Sequence, residues 1–333
     1  MIPETMPYTL QQIQECKDFD LEHICRDLEN LYNFDANTNP RKFAGSKTIY
    51  KNQLRNMLKC RRGNKGYKLI EEWFETDELK NQLWKNTVHR NRRDKAPYPS
   101  PTDVYEAHRI NQGAVVSFKA TTAKYIIKKF CSLSHDKECH ILDPCAGWGG
   151  RYIGATSMGA IYTGYDTNIN MREAYRGITY DIYTMSVNYF KKWILALESS
   201  EIRFQSCLEG DFTDKPYDLV LTSPPYSNLE LYEHMTPFES DKHFYETFMM
   251  PLFEKLFNET NCPICINISP KMYKDLTTKY NLKECDTKVD LRQQMGKIYK
   301  TKSQDYVYVW FPQKKAEEDV NPETGEENPN LMY

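Results

Sequence analysis

The sequence predicts an α/β protein in which an open, mostly parallel sheet carries helices on both faces and closes on an antiparallel edge, behind an all-helical N-terminal segment. Three observations predict it. From about residue 120, short apolar runs alternate with helical stretches, as expected of a parallel sheet with crossover helices. An early run leads into a glycine-rich turn, Asp143-Pro144-Cys145-Ala146-Gly147-Trp148-Gly149-Gly150. A late run, Tyr306-Val307-Tyr308-Val309-Trp310-Phe311, lies close to Asn281-Leu282-Lys283-Glu284-Cys285 and suits a closing antiparallel pair.

The elements follow in order. Residues 8–32 space their apolar positions by three and four and read as one or two helices. Residues 50–62 and 68–90 also read as helical, with Trp73, Phe74, Leu79, Leu83 and Trp84 facing a core. Ala96-Pro97-Tyr98-Pro99-Ser100-Pro101 is a proline-punctuated joint. It divides the chain into a helical domain (1–100) and a core (101–313), followed by an acidic, Pro- and Asn-rich tail (314–333) expected to be disordered. In the core, helix 120–130 leads to strand 140–143, the glycine turn and a helix from about 150. A second strand, 161–165, ends at Asp166, and one long helix is expected over 168–197. Further strands fall near 202–206, 217–222, 262–268 and 305–311, with a helix over 243–257.

Composition narrows the class. With 40% hydrophobic and 27% charged residues in 333, the chain can bury a sizeable core. No run approaches the roughly 18 apolar residues of a membrane span, and the N-terminus lacks a secretory pattern, so an intracellular, reducing setting is expected. Ten cysteines form no disulfide framework. Cys262-Pro263-Ile264-Cys265 has metal-knuckle spacing, but without a second pair it reads as reduced core thiols, and no metal is expected. The net charge of −2 hides segregation: residues 41–68 hold ten basic residues and no acidic one, and Lys85, Arg90, Arg92, Arg93 and Lys95 follow. DNA is the expected partner of these segments, 41–68 and 85–95, through phosphate contacts. A solvated helix face is the bland alternative.

Two segments carry chemistry. A strand ending in Asp before a glycine turn and a helix is a general nucleotide cradle, since glycines admit the ligand to the backbone and the helix start offers free amides. By itself this does not separate NAD from S-adenosylmethionine, although the G-x-G-x-x-G dinucleotide pattern is missing. Asp166 is placed to accept from a ribose, and Asp211, after the third strand, from an adenine amine; either could instead cap its own loop. The second segment is Thr222-Ser223-Pro224-Pro225-Tyr226, directly after an apolar run. The lone pair of an exocyclic base amine is delocalised into the ring. Acceptors on its two protons, the Ser223 hydroxyl and the Pro224 carbonyl, would localise that pair on nitrogen. Two prolines fix the carbonyl direction, and Tyr226 offers a platform for a base swung out of the helix.

With both segments in hand, residues 104–311 resemble the amino-directed DNA methyltransferases, which act at N6 of adenine or N4 of cytosine, including phage and large-virus versions. The resemblance implies a Rossmann-like class I sheet and S-adenosyl-L-methionine as cofactor. It implicates Asp143, Ala146, Gly147 and Gly149 in cofactor binding, and Ser223, Pro224, Pro225 and Tyr226 in catalysis. Phe118 and Thr121, in Val116-Ser117-Phe118-Lys119-Ala120-Thr121-Thr122, match the segment that contacts the methionine end. The family writes its cofactor loop F-x-G-x-G, and here Cys145 replaces the aromatic residue. Serine at the first catalytic position leans towards cytosine, where aspartate leans towards adenine, and both targets stay open. An RNA methyltransferase, or a degenerate enzyme serving as a binding subunit, are the alternatives. Only 56 residues separate Asp166 from Ser223, too few for an inserted recognition domain, so base recognition falls to the N-terminal domain or to loops 227–242 and 287–304. In the second loop Arg292, Gln293 and Gln294 suit base edges. No cysteine nucleophile lies in the catalytic turn, which argues against methylation at carbon 5 of cytosine.

Overall fold

The computed structural model describes residues 2–37, 43–61, 67–94, 98–112, 115–131, 138–185, 191–291 and 306–312. Arg292–Gln294, the acidic tail, and Arg41, Lys42, Arg62, Lys65 and Lys95 of the basic runs lie outside the described residues. The N-terminal helices are α1 (Leu10–Gln14), α2 (Leu21–Tyr32), α3 (Ser46–Leu58), α4 (Asp77–Asp94) and α5 (Pro101–Gln112). The core then runs α6 (Ala120–Phe130), β1 (His140–Asp143), α7 (Gly150–Thr156), β2 (Ile161–Tyr165), α8 (Arg172–Tyr183), α9 (Lys191–Glu198), β3 (Glu201–Arg203) and β4 (Leu219–Thr222). It closes with α10 (Asp241–Phe244), α11 (Met250–Glu259), β5 (Ile264–Ile268), α12 (Pro270–Lys279), β6 (Thr287–Asp290) and β7 (Tyr306–Trp310).

Among the described residues one seven-stranded sheet has the order β3-β2-β1-β4-β5-β7-β6. Strands β1 to β5 are parallel, and β7 runs antiparallel between β5 and β6. This is the doubly wound sheet with an antiparallel edge that the sequence predicts, the Rossmann-like class I arrangement. Strand order reverses between β1 and β4, so the crevice outside their carboxyl ends is where such a sheet takes a ligand.

Several elements differ from expectation. The long helix over 168–197 is broken: α8 ends at Tyr183, α9 starts at Lys191, and residues 186–190 lie outside the described residues. The end is already set at Thr184, a weak helix former that caps α8. Helix α12 was not anticipated, although its Ser269 cap and Pro270 at the first position are readable start signals. The edge partner of β7 is Thr287–Asp290, beyond a turn in which Asn281 takes a φ of 55°. Cys131 and Cys139 are joined as a disulfide, which the cysteine spacing did not announce. Cys262 and Cys265 are free, buried thiols. No helix among the described residues is long and apolar enough to cross a membrane.

The N-terminal helices share the core of the sheet. Ile24, Leu28 and Leu31 of α2, with Ile49 and Met57 of α3, pack in one cluster with Ile126, Ile153 and Ile178. The other face of α3, Leu54 and Leu58, joins Trp73, Leu83 and Trp84 in a second cluster. Helix α5 follows the proline joint yet packs back into that second cluster through Val104 and Tyr105. Polar contacts fix α3 on α8. Buried Asp181 accepts from Thr48 Oγ1 (2.7 Å), Lys51 Nζ (2.7 Å) and Asn52 Nδ2 (2.9 Å). Buried Lys124, its pKa lowered to about 8 by desolvation, donates to the carbonyls of Leu31 and Tyr32 at the end of α2. Asp181→Asn should cost about 1–2 kcal/mol in urea unfolding and speed proteolysis of α3. An unchanged midpoint would mean that apolar packing alone holds the helix.

The basic stretch changes meaning here. Lys51 is spent on Asp181, Arg55 pairs with Glu15 (2.9 Å) and Lys59 with Glu233 (3.0 Å). The last two pairs are exposed enough to contribute little to stability. Part of the charge run therefore fastens the chain to itself.

Candidate functional site

The two chemical segments meet because β1 and β4 are neighbours, in the register Ile141–Leu219 and Leu142–Val220. Asp143, at the end of β1, is fully buried and joins them. Its Oδ1 accepts from Thr222 Oγ1 (2.7 Å) and from the Cys145 amide (3.1 Å). Its Oδ2 accepts from Arg151 Nε (2.6 Å) and from the Tyr162 hydroxyl. The Cys145 amide also donates to Thr222 Oγ1 (3.2 Å), and Arg151 Nη2 donates to the Cys145 carbonyl. Burial pulls the Arg151 pKa down, but Asp143 more than offsets this, so the guanidinium stays charged. Thr222, which opens the Ser-Pro-Pro-Tyr turn, thus belongs to the same network as the glycine turn.

The glycine turn then rises over the sheet. Gly147 takes a φ of 61°, in the left-handed region that glycine adopts without strain. Its amide donates to Asp166 Oδ2 (3.0 Å), and the Asn168 amide donates to Oδ1 (2.9 Å). Burial pushes the Asp166 carboxyl up to about 6, although the two amides pull the other way.

A cleft of about 270 Å³ opens above these residues. It brings together Gly147, Asp166, Ser223 and Pro225, and adds Gln205, Ser206 and Cys207 from the segment after β3. The remaining expected residues are placed elsewhere. Asp143 lies beneath the cleft with both oxygens engaged. Ala146 is buried, its amide bonded to the Tyr165 carbonyl (2.8 Å), and Gly149 caps α7. The Phe118 ring covers the Arg151 guanidinium at 5.1 Å, and its carbonyl backs so closely onto Gly150 that a Cβ there would stand 1.8 Å away. Thr121 is fully buried in α6. Pro224 does not line the cleft, and Tyr226 packs against the core that contains Phe244 and Met249. The Asp211 carboxylate caps its own loop through the Thr213 amide (2.8 Å) and hydroxyl (2.7 Å), outside the cleft.

One part of the cleft has no signature in the sequence. Asn228 brackets the chain at Phe238, donating to its carbonyl (2.6 Å) and accepting from its amide (2.8 Å). The strap between them lays Tyr232, His234, Met235 and Phe238 over the cleft. Tyr232 packs on Trp148 (5.8 Å between centroids), His234 reaches Thr167 Oγ1 (3.1 Å), and Leu231 pairs with Arg61 in a short antiparallel bridge. The result is a cavity whose wall combines the polar groups of Asp166, Gln205, Ser206 and Ser223 with the rings of Trp148, Tyr232, Phe238 and Phe248.

A ligand that donates hydroxyls to Asp166 needs the ionised carboxylate. Its affinity should therefore be full above pH 6 and fall as pH drops below about 6, as calorimetry from pH 5 to 8 would show. Asp166→Asn should bind more weakly with a flat profile, which separates this effect from protonation of His234, whose pKa burial lowers. A flat wild-type profile would place the carboxylate out of contact with the ligand.

No family model matches the chain, and no curated protein matches it. Among solved structures it is similar to an rRNA methylase from Streptococcus thermophilus, at 11% identity over 60% of this chain and 100% of that one, with a TM-score of 0.37. It is also similar to an RNA methyltransferase from Salinibacter ruber in complex with S-adenosyl-L-homocysteine, at 14% identity over 61% and 97% of the two chains and a TM-score of 0.33. The human methyltransferase 10 domain containing protein is a third, at 9% identity over 58% and 80%, with a TM-score of 0.36.

Proposed function

We propose that the chain is a DNA methyltransferase that uses S-adenosyl-L-methionine to methylate an exocyclic base amine, N4 of cytosine ahead of N6 of adenine. One observation carries the reading: Gly147 and Asp166 share a single cleft with Ser223 and Pro225, at the point where strand order reverses. The residues present fit the cofactor. Asp166 would hold the ribose hydroxyls, the turn at Gly147 would take the methionine end, and Gln205 and Ser206 would face the adenine edge. The cofactor supplies a methyl carbon on a positively charged sulfur and leaves as a neutral thioether, retaining the bonding pair.

The chain's part is to present the amine. The Ser223 hydroxyl, which lines the cleft, accepts a hydrogen bond from the amine, which draws the nitrogen towards tetrahedral geometry and localises its lone pair. The new bond then forms from nitrogen, and the surplus proton leaves to water. Phe238 and Phe248 line the cleft and Tyr226 does not, so the ring faces for a flipped base would come from the first two. Such stacking is worth roughly 1–3 kcal/mol, comparable with the cost of extruding a base. Fixing both reactants in one cleft supplies much of the acceleration.

DNA would be held by the N-terminal region, residues 1–100, through basic side chains of segments 41–68 and 85–95, such as the exposed Arg61. A filter assay with tritiated cofactor tests the substrate class. DNA should take up label without competition from RNA; preferential labelling of RNA would move the reading to an RNA base methyltransferase. Retained cofactor binding with no transfer to either would make the chain a binding subunit.

A further inference from the structure

Asn267 is a buried amide in the otherwise apolar strand β5, 5% exposed and paired opposite Val307 on β7. Its Nδ2 donates to the Tyr306 carbonyl at 2.8 Å. That bond sets the orientation of the amide and turns Oδ1 towards the catalytic turn, 3.4 Å from Ser223 Oγ. The backbone carbonyl of the same residue lies 3.3 Å from the same hydroxyl. Both contacts are long, as hydrogen bonds at a site without substrate often are.

A serine hydroxyl has one proton and two lone pairs. With the proton directed at Asn267, both lone pairs are free to accept from an amine. A hydroxyl free to rotate could instead donate to the amine nitrogen and occupy the pair that must attack. We propose that Asn267 is a positioning residue that fixes the Ser223 hydroxyl as an acceptor towards the substrate amine. The inference rests on the amine-methylating role of Ser223 and adds the residue that sets its polarity. It also accounts for an amide in a strand where every neighbour is apolar, since burying one is costly unless its groups are bonded.

The test separates orienting Ser223 from fastening β5 to β7. Asn267→Leu, close in size, loses both side-chain bonds and leaves the Ser223 hydroxyl only the backbone carbonyl, whereas Asn267→Asp keeps a side-chain acceptor for Ser223 and loses the donor to Tyr306. The Leu variant should lower kcat roughly ten- to thirtyfold, with the cofactor Kd unchanged. The Asp variant should recover to within about threefold of wild type. In a Ser223→Ala background, Asn267→Leu should change kcat by less than about twofold, because the group it orients is gone. Calorimetry without cofactor gives a second readout: the Leu variant should bind a cytosine-containing oligonucleotide more weakly than wild type does. Should the Leu protein fail to fold, Asn267→Ala takes its place. Equal losses in the Leu and Asp variants, or full additivity with Ser223→Ala, would reduce Asn267 to a strand fastener and overturn the proposal. Absence of any transfer by the wild type would instead defeat the methyltransferase reading, and this inference with it.

Discussion

Replacing Arg151 with methionine should remove about 3–5 kcal/mol from the free energy of folding, the range for breaking a buried ion pair from one side. Arg151 is 4% exposed and Asp143 not at all, so water cannot replace the lost guanidinium. Tyr162, Thr222 and the Cys145 amide would still donate to the carboxylate, yet its charge would have no counter-ion and the Cys145 carbonyl would lose its donor. The penalty comes from the charge left behind. Adding Asp143→Asn to the variant should therefore restore part of the loss, measured by urea unfolding. Because the same network ties Thr222 to the glycine turn, the single variant should also bind cofactor more weakly. A loss below about 1 kcal/mol would show that the turn is held by packing, not by this pair.

Ser223→Ala should lower the rate of methyl transfer by about a hundredfold or more, the scale found when one preorganised hydrogen-bonding group is taken from a reacting centre. The hydroxyl lies at the mouth of the cleft and bonds only to Asn267 among the described residues, so its removal leaves the fold intact. Cofactor affinity should stay within about twofold, since the contact with the amine strengthens only as its nitrogen changes geometry. A parallel loss of cofactor binding would place the serine on the wrong ligand. An unchanged rate would remove it from the mechanism.

Much of this architecture was legible because it is local. The sheet follows from alternating runs, and the meeting of Gly147 with Ser223 follows from both segments standing at the ends of strands that a doubly wound sheet makes adjacent. What was hidden depends on partners far apart in the chain. Lys59 finds Glu233 174 positions away and Lys51 finds Asp181 130 away, so a run read as a DNA-facing surface is partly internal wiring. Nothing local in the sequence announces that Asp143 and Phe118 enclose Arg151. Asp211 had the right residue type, but its Oδ1 caps the Thr213 turn and the residue does not line the cleft, a local arrangement that spacing does not reveal. The strap from Asn228 to Phe238 has no periodicity, and contacts far apart in the chain, the Asn228 bracket, the Arg61–Leu231 bridge and Trp148 on Tyr232, set where its aromatic side chains fall.

The most direct measurement digests DNA and RNA incubated with the protein and labelled cofactor, and identifies the modified nucleosides by mass, for wild type and Ser223→Ala in parallel. The account expects a base methylated on its exocyclic nitrogen in DNA from the wild-type reaction, and almost none from the variant. Methyl groups on ring carbon, or equal labelling by the two proteins, would contradict it.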